Sequence, residues 1–201
     1  MTTESHGAAQ TYNTRVEARA EDLHLRKAVH SDIPALTALI ELSVRVLQAG
    51  DYSSDQIAGA LGTLLGVDTR LIADGTYLLL ETSSGQIAGC GGWSRRKTLF
   101  GSDHAPGREE EMLDPLVDAA KIRAFFIHPE WARRGLGTRI LDACESEALA
   151  AGFRRFELGA TLTGERLFRA RGYVAADRIE APLPNGASLP IIRMVKSSAF
   201  I

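Results

Sequence analysis

The sequence predicts one mixed α/β domain in which helices cover both faces of a seven-stranded sheet. Three observations lead to this prediction. The chain has 201 residues, which suits one domain and is enough to bury a substantial core. Its composition, 45% hydrophobic and 24% charged, is typical of a globular protein. Its hydrophobic periodicity runs in the order strand, two helices, three strands, helix, strand, helix and two strands.

The first 22 residues stand apart from this pattern. They are polar, and they lack the apolar core of a signal peptide. We therefore expect residues 1–22 to form a flexible polar leader and residues 23–197 to form the domain. Because no apolar run approaches the roughly 20 residues of a membrane helix, we predict a cytoplasmic protein with no membrane partner.

Charge and cysteine content narrow the function further. The net charge of −2 gives no reason to expect nucleic acid as a partner, so any positive patch must be local. The two cysteines, Cys90 and Cys144, lie in apolar segments and are predicted to be buried structural thiols. Their spacing does not suggest a metal site, and no metal is expected.

One strand and two helices begin the domain. "LHLRKAV" (23–29) alternates as a strand does, and residues 30–50 place apolar side chains at helical spacing. In "DYSSDQIAGALGTLLG" (51–66), Ser53 and Gln56 have the spacing of a capping box, which predicts a second helix. The apolar face of that helix would consist of Ile57, Leu61, Leu64 and Leu65.

A hairpin and a long loop follow. "TYLLLE" (76–81) and "QIAGCGGWS" (86–94) are predicted strands joined by a Ser-Ser-Gly turn. Residues 97–120 then make a connection of roughly twenty residues, which is either a lid over a binding site or a solvated insertion. Three consecutive glutamates in this loop have three possible roles: they attract a cationic amine, cap a helical turn or are simply solvated. That run is Glu109, Glu110 and Glu111.

The second half continues the alternation. "KIRAFFI" (121–127) is a strongly apolar strand, and a helix is predicted from about Gly135 to Ala151. A further strand (153–162) and a short helix (164–171) come next. The last two strands form a hairpin within residues 173–196.

The glycine-rich turn before the long helix has the features of an anion site. Helix-start amides have no internal partner, the helix dipole is positive there, and glycine allows close approach. Arg133 and Arg134 precede Gly135 and Gly137 and add positive charge. The turn lacks the Gly-Lys-Ser/Thr of a Walker loop and the third glycine of a dinucleotide fingerprint, so nucleotide binding is disfavoured.

Two segments resemble the GNAT superfamily of N-acetyltransferases: "IRAFFIHPEWARRGLGTRILDACESEALAAG" and "FELGATLTGERLFRARGYV". The resemblance implies a single GNAT-like domain with a mixed, mostly antiparallel seven-stranded sheet. It also implies a V-shaped opening between the fourth and fifth strands. The implied function is transfer of an acetyl group from acetyl-CoA (CoA) to a primary amine, by direct attack in a ternary complex. The alternative is a non-catalytic acyl-CoA-binding sensor or partner module.

The resemblance also implies a set of cofactor-binding residues. The turn would hold the CoA diphosphate, the end of the preceding strand would line the pantetheine arm, and two later residues would complete the site. Two of these positions depart from the family pattern, because Thr161 replaces an Asn and Phe168 replaces a Tyr. The implied residues are Phe125, Phe126, Ile127, Arg133, Arg134, Gly135, Leu136, Gly137, Thr138, Thr161 and Phe168.

Acyl transfer requires a neutral amine and a donor for the oxyanion, for which the backbone of Phe126 or Ile127 is predicted. The sequence leaves the base open. Each candidate has an alternative structural role, as a solvated strand end, a loop cap or a local hydrogen-bond partner. The candidates for the base are Glu81, Asp118 and His128, and Tyr173 is the candidate for the acid that Phe168 cannot supply.

Aromatic residues near strand ends are candidates for the acceptor pocket, although core or sheet-edge packing is the alternative for each. These candidates are Tyr52, Tyr77 and Trp93, with Arg95 or Arg96 beside them. A small-molecule amine is favoured over an N-terminal or lysine amine because no extended charged groove is visible. A homodimer is compatible with the family resemblance.

Overall fold

The computed structural model describes residues 23–109 and 111–198. The predicted leader, residues 1–22, lies outside the described residues, as does Glu110. The strands form one sheet in the order β1-β2-β3-β4-β5-β7-β6. Their bounds are β1 Leu23–Lys27, β2 Tyr77–Thr82, β3 Ile87–Ser94, β4 Ala120–Ile127, β5 Arg155–Thr161, β6 Val174–Pro182 and β7 Ser188–Ser197.

The sheet is antiparallel except between β4 and β5, and this exception creates the opening that the resemblance implied. The two strands pair in parallel at two positions, Ala120 with Phe156 and Lys121 with Glu157. Beyond Lys121 they have no paired residues, although β5 continues to pair with β7 as far as Thr161. The predicted V-shaped gap between the fourth and fifth strands is therefore confirmed.

A bulge in β4 accompanies this divergence. Cys90 of β3 pairs with Phe126 but Gly92 pairs with Arg123, so two residues of β4 lie opposite the single residue Gly91. Ala124, within the bulge, adopts a left-handed backbone with φ 56°. A bulge bends a strand and increases its local twist. The bulge lies just beyond Lys121, where the pairing of β4 with β5 ends.

Buried charges hold the vertex of the V together. Lys121 and Glu157, the last parallel pair, form an ion pair in which each side chain is 11% exposed. Arg193 of β7 also donates to Glu157. Burial alone would raise the pKa of Glu157, but the hydrogen bonds from Lys121 and Arg193 outweigh burial and hold it below its usual range. The charged pair thus fixes the point from which the two strands separate.

Helices cover both faces of the sheet, as predicted, and two hydrophobic cores result. Helix α4 packs on β2, β3 and β4 within one core, whereas the first three helices pack within the other. Cys144 lies in the first core and Cys90 in the second, which confirms that both thiols are buried. No helix in the described ranges is long and apolar enough to cross a membrane. The helices are α1 Ile33–Leu47, α2 Ser54–Ala60, α3 Thr69–Ala73, α4 Leu136–Ala150 and α5 Glu165–Ala170.

The prediction for the second helix was wrong in its length, and α3 was missed. Helix α2 ends at Ala60 rather than continuing to Leu65, because Leu61 is extended and Gly62 takes a φ of 78°. Helix α3 has five residues, and its N-terminus is capped by the side chain of Asp68. So short a helix is set by its cap and tertiary contacts, and it cannot display a 3.6-residue period.

Candidate active site

A cavity of about 560 Å³ occupies the opening between β4 and β5. Its long walls are residues 122–127 and 158–161. Residues of the segment 131–138, together with α5, line it on the face that carries α4. The end of α1 and two loops, residues 64–66 and 99–101, line it on the other face. The cavity is therefore bordered by both layers of helices.

The turn before α4 presents unpaired amides to this cavity. Gly135 is the N-cap of α4 and has a φ of 81°, and Arg133 is also left-handed with a φ of 64°. The first amide bonded within the helix is that of Arg139, which donates to Gly135 O at 3.0 Å. The amides of residues 136–138 thus have no partner in the helix, and the dipole of this fifteen-residue helix adds positive potential.

Close packing fixes the orientation of this helix start. A Cβ on Gly137 would lie 2.9 Å from the end of the Leu167 side chain of α5, so a larger residue would require that side chain to move. Leu136, next in the turn, is buried in the core on the α4 face. The exposed amides are therefore presented by a firmly packed element.

All but one of the predicted cofactor residues line the cavity. The exception is Arg134, whose guanidinium lies 5.3 Å from the centre of the Trp131 ring. Arg133 remains at the cavity with Arg166 of α5, so two cations border the turn. The residues that line the cavity are Phe125, Phe126, Ile127, Arg133, Gly135, Leu136, Gly137, Thr138, Thr161 and Phe168.

Phe168 joins the cavity wall to the core. Its ring packs edge-to-face against Phe125 and Tyr173, each with a centroid separation of 5.7 Å. It is buried and carries no proton that could be transferred. This position of the cavity is therefore a packed apolar surface.

Two of the candidate bases lie outside the cavity lining. Arg26 donates to both carboxylate oxygens of Glu81, at 2.7 and 3.0 Å, and also pairs with Asp32. The hydrogen bond from Arg26 lowers the pKa of Glu81, which makes it a weaker base. Asp118 accepts the backbone N–H of Asp114 at 2.7 Å within the loop before β4. The structure does not bring these carboxylates to the opening.

His128 and Tyr173 also lie outside the lining. His128 accepts the Glu130 N–H on Nδ1 at 3.3 Å, and its Nε2 lies 3.5 Å from Gln86 Nε2. Tyr173 donates its hydroxyl to Glu145 Oε1 at 2.9 Å. Burial and the negative Glu145 raise the pKa of Tyr173, so the hydroxyl keeps its proton. Tyr173 reaches the cavity only indirectly, through Phe168.

The two tyrosines proposed for the acceptor pocket support its walls from behind. Tyr52 donates to Pro190 O at 2.8 Å and accepts the Leu162 N–H at 2.9 Å, which ties the end of α1 to β5 and β7. The Tyr77 hydroxyl lies 3.4 Å from Ala124 O at the bulge. Neither side chain lines the cavity, and both are buried.

Trp93 and its neighbouring arginines have structural contacts of their own. The Trp93 indole donates to Glu147 Oε2 at 2.9 Å in the core beneath α4, and the Arg95 guanidinium lies 5.5 Å from its ring centroid. Arg96 pairs with Asp74 at 2.8 Å. None of these residues lines the cavity.

Three polar residues that the sequence analysis did not single out line the cavity on the α1 face: Ser43, Gln48 and Arg123. Gln48 and Arg123 are only 6% and 5% exposed, and Gln48 Oε1 and Arg123 Nε have no hydrogen-bond partner. A charge within the apolar "KIRAFFI" was a visible signal for Arg123. Gln48 gave none, because a polar residue near the end of a helix is ordinary.

The long loop supplies part of the cavity wall. Residues 99–101 line the cavity, and Arg123 donates to Gly101 O at 2.6 Å. Asp68 pairs with both Arg108 and Arg123 at 2.8 Å, and all three side chains are at most 9% exposed. These buried ion pairs attach the loop to α3 and β4.

Comparisons with known proteins agree with this architecture. Residues 48–182, more than half of the chain, match the family model described as an acetyltransferase (GNAT) domain. A search of curated protein sequences finds no match.

Similar solved structures include a GCN5-related N-acetyltransferase from Rhodopseudomonas palustris, with a TM-score of 0.61 and 24% identity over 87% of this chain and 95% of that one. The PaiA N-acetyltransferase from Thermoplasma acidophilum, solved with coenzyme A, has a TM-score of 0.60 and 13% identity over 87% and 98%. The ribosomal-protein-S18-alanine N-acetyltransferase from Escherichia coli has a TM-score of 0.53 and 16% identity over 89% and 96%.

At these identities the solved structures support the fold, and the family model supports membership. The seven-stranded mixed sheet, with β4 parallel to β5, matches this fold. The chain therefore belongs to the GNAT family of acetyltransferases, as the resemblance in its sequence implied.

Proposed function

We propose that this protein is an N-acetyltransferase that moves the acetyl group of acetyl-CoA to a small primary amine by direct attack in a ternary complex. One observation carries the proposal: the free amides of the α4 turn and the unpaired edge of β4 border a single cavity. The relative from Thermoplasma acidophilum was solved with coenzyme A, which supports the same cofactor here.

The diphosphate of CoA would bind at the turn. Helix-start amides with a dipole behind them are an established way to bind phosphate, and Arg133 and Arg166 add charge at the rim. The pantetheine arm would then run along β4, where residues 125–127 line the cavity and β5 no longer occupies the neighbouring position. This path delivers the thioester to the V.

Strand geometry favours Ile127 over Phe126 as the oxyanion donor. The His128 N–H donates to Ala88 O of β3 at 2.9 Å. Successive amides of a strand point to opposite edges, so the Ile127 N–H is directed to the edge that β5 has left. The Phe126 N–H, two residues before that of His128, points instead to β3, where Phe126 pairs with Cys90. We therefore assign the donor role to the Ile127 amide.

Proton transfer in this site would rely on solvent. Among the described residues, those that line the cavity include no Asp, Glu, His or Tyr. The amine would have to arrive neutral and lose its proton to water after attack. A thiol with a pKa of about 8.5 is a tolerable leaving group, so no acid is needed at the position of Phe168. The rate at subsaturating amine should then follow the neutral fraction of the amine as pH rises.

The lack of a base in the lining also favours a second candidate, an acyl-CoA-binding sensor or partner module with little turnover. Calorimetry with CoA and a thiol-release assay over a panel of primary amines separate the two. The enzyme should bind CoA and release CoA thiol only when amine is present. Binding with no release from any amine would support the sensor, and no binding would overturn both.

A further inference from the structure

We infer that the free edge of β6 pairs with the β6 edge of a second copy of the chain, so that the two sheets join into one across a twofold axis. β6 is the last strand of the sheet, and within the described residues it pairs only with β7. Seven of its nine side chains are exposed. An open edge of this length presents unpaired backbone groups that can bond to another strand. The inference goes beyond the proposed function and does not depend on it.

Alternation along β6 shows which backbone groups point outward. The Leu183 N–H donates to Ala187 O at 2.9 Å in the hairpin, so Leu183 faces β7. In an antiparallel sheet, successive residues point alternately to the two neighbouring strands, and residues 177–182 pair with β7 without interruption. Arg178 and Glu180 therefore direct both their N–H and C=O groups to the free edge.

The contacts of Pro190 on β7 agree with this direction. Pro190 lies opposite Glu180, and its carbonyl accepts the Tyr52 hydroxyl at 2.8 Å. The same hydroxyl accepts the N–H of Leu162, directly after β5, so the Pro190 carbonyl points to the β5 side of β7. Glu180 and Pro190 are thus not hydrogen-bonded to each other, which leaves the Glu180 backbone free on the outer edge.

The charges on this edge select one register of self-pairing. Arg178 and Glu180 lie on the same side of the strand, are 59% and 51% exposed, and form an ion pair at 2.9 Å. An antiparallel twofold pair centred on Ile179 places Arg178 of each copy opposite Glu180 of the other. A twofold axis at residue 178 or 180 would instead place Arg178 or Glu180 opposite its own copy, and like charges directly opposite are unfavourable.

The regular part of β6 has the same centre. A bulge leaves Ala176 without a paired residue on β7, and Pro182 has no N–H to donate. Each feature would end a ladder along the free edge. The segment between them, residues 177–181, is centred on Ile179, so Ala176 of one copy falls opposite Pro182 of the other. The two features that end the ladder therefore coincide in the register that the charges select.

This register also covers an apolar side chain. Ile179 is half-buried, and at the centre of the pair it would meet its own copy at a position without hydrogen bonds, where side chains approach most closely. On either side of Ile179, the backbones of Arg178 and Glu180 would exchange hydrogen bonds. Because the ion pairs are largely exposed, they select the register more than they add affinity. The expected complex is therefore a reversible dimer that salt weakens.

Charge-reversal variants test the pairing on the full chain. Arg178→Glu and Glu180→Arg would each place like charges opposite one another in a homodimer, so each should raise the dimer Kd by about tenfold or more. An equimolar mixture of the two variants should restore dimers, because every charge then faces its opposite in a heterodimer. Arg45→Glu is the matched control, since Arg45 forms a similarly exposed ion pair with Glu41 on α1 and should leave the Kd unchanged.

Sedimentation equilibrium at low ionic strength measures the Kd, and hydrogen exchange adds a backbone readout. The amides of Arg178 and Glu180 should exchange more slowly as the parent protein dimerises. A parent protein that is still monomeric at about 1 mM would overturn the inference and leave the edge to an extended segment of another protein. Dimers that the two variants do not weaken, or that their mixture does not restore, would also overturn it. CoA binding and thiol release are measured separately, so none of these outcomes alters the proposed function.

Discussion

Gly135→Ala is the sharpest perturbation of the proposed diphosphate site. Gly135 caps α4 with a φ of 81°, and a Cβ there would meet no atom of the protein within 4 Å. The substitution therefore creates no clash inside the folded chain. Its effects come from the left-handed backbone and from a methyl group placed at the proposed position of the diphosphate.

The left-handed conformation costs a residue other than glycine about 1–2 kcal/mol. If the packed helix holds the turn in place, this cost lowers stability, which for a domain of this size is a fall in Tm of about 2–8 °C. If the turn relaxes in the free protein, CoA must restore it, and the same energy weakens binding about 5- to 30-fold. The methyl group at the rim would obstruct the diphosphate in either case, so CoA binding should weaken whether or not the turn relaxes.

Gly85→Ala is the matched control. Gly85 has a φ of 86°, also has open space around a new Cβ, and lies in the turn between β2 and β3. Calorimetric titration with CoA and thermal unfolding should be measured on both variants. The change in Tm should be similar in the two variants. Only Gly135→Ala should weaken CoA binding, by at least fivefold. A Kd within twofold of the parent protein in Gly135→Ala would refute the assignment of the turn.

Three further predictions concern chemistry and stability. Phe168→Tyr should leave kcat/KM within about tenfold of the parent value, because the thiolate leaves without an acid. A hundredfold gain in the thiol-release assay would show that the missing acid limits the rate. Lys121→Met should destabilise the protein by about 2 kcal/mol in urea titrations, because Glu157 keeps only one cation. Because the pKa of Glu157 is lowered in the folded protein, the loss of unfolding free energy in Lys121→Met should shrink as the pH falls through that pKa. A loss that does not change with pH would contradict the ion-pair account. Arg26 lowers the pKa values of its partners Asp32 and Glu81, so the stability that they contribute is present above their unfolded pKa values of about 4 and is lost in acid. Arg26→Met should therefore flatten the fall in Tm below pH 5. A Tm profile that matches that of the parent protein would contradict this prediction.

The sequence predicted the fold well where structure is local. Alternation predicted β1, apolar runs bounded by turn residues predicted β2 and β4, and a capping box marked the start of α2 at Ser53. The left-handed residue in β4 could not be foreseen, because Ala124 has no intrinsic preference for that conformation. It follows from the pairing of β4 with β3 across Gly91, which is a tertiary property.

The same distinction explains the site. The diphosphate turn is contiguous in sequence, so its glycines and helix start were recognisable together. The cavity wall on the α1 face is assembled from α1, two loops and β4, and no local pattern joins Gln48 to Arg123. Tyr77 and Trp93, near strand ends, were candidates for the acceptor pocket, with core or sheet-edge packing as the alternative. They face the cores instead, since β2 and β3 are buried on both faces.

A crystal structure of the protein with coenzyme A tests the central claim most directly. The account predicts diphosphate oxygens within about 2.7–3.2 Å of amides in the 133–138 turn, with the pantetheine arm along β4 inside the V. A diphosphate bound anywhere else on the protein would contradict it.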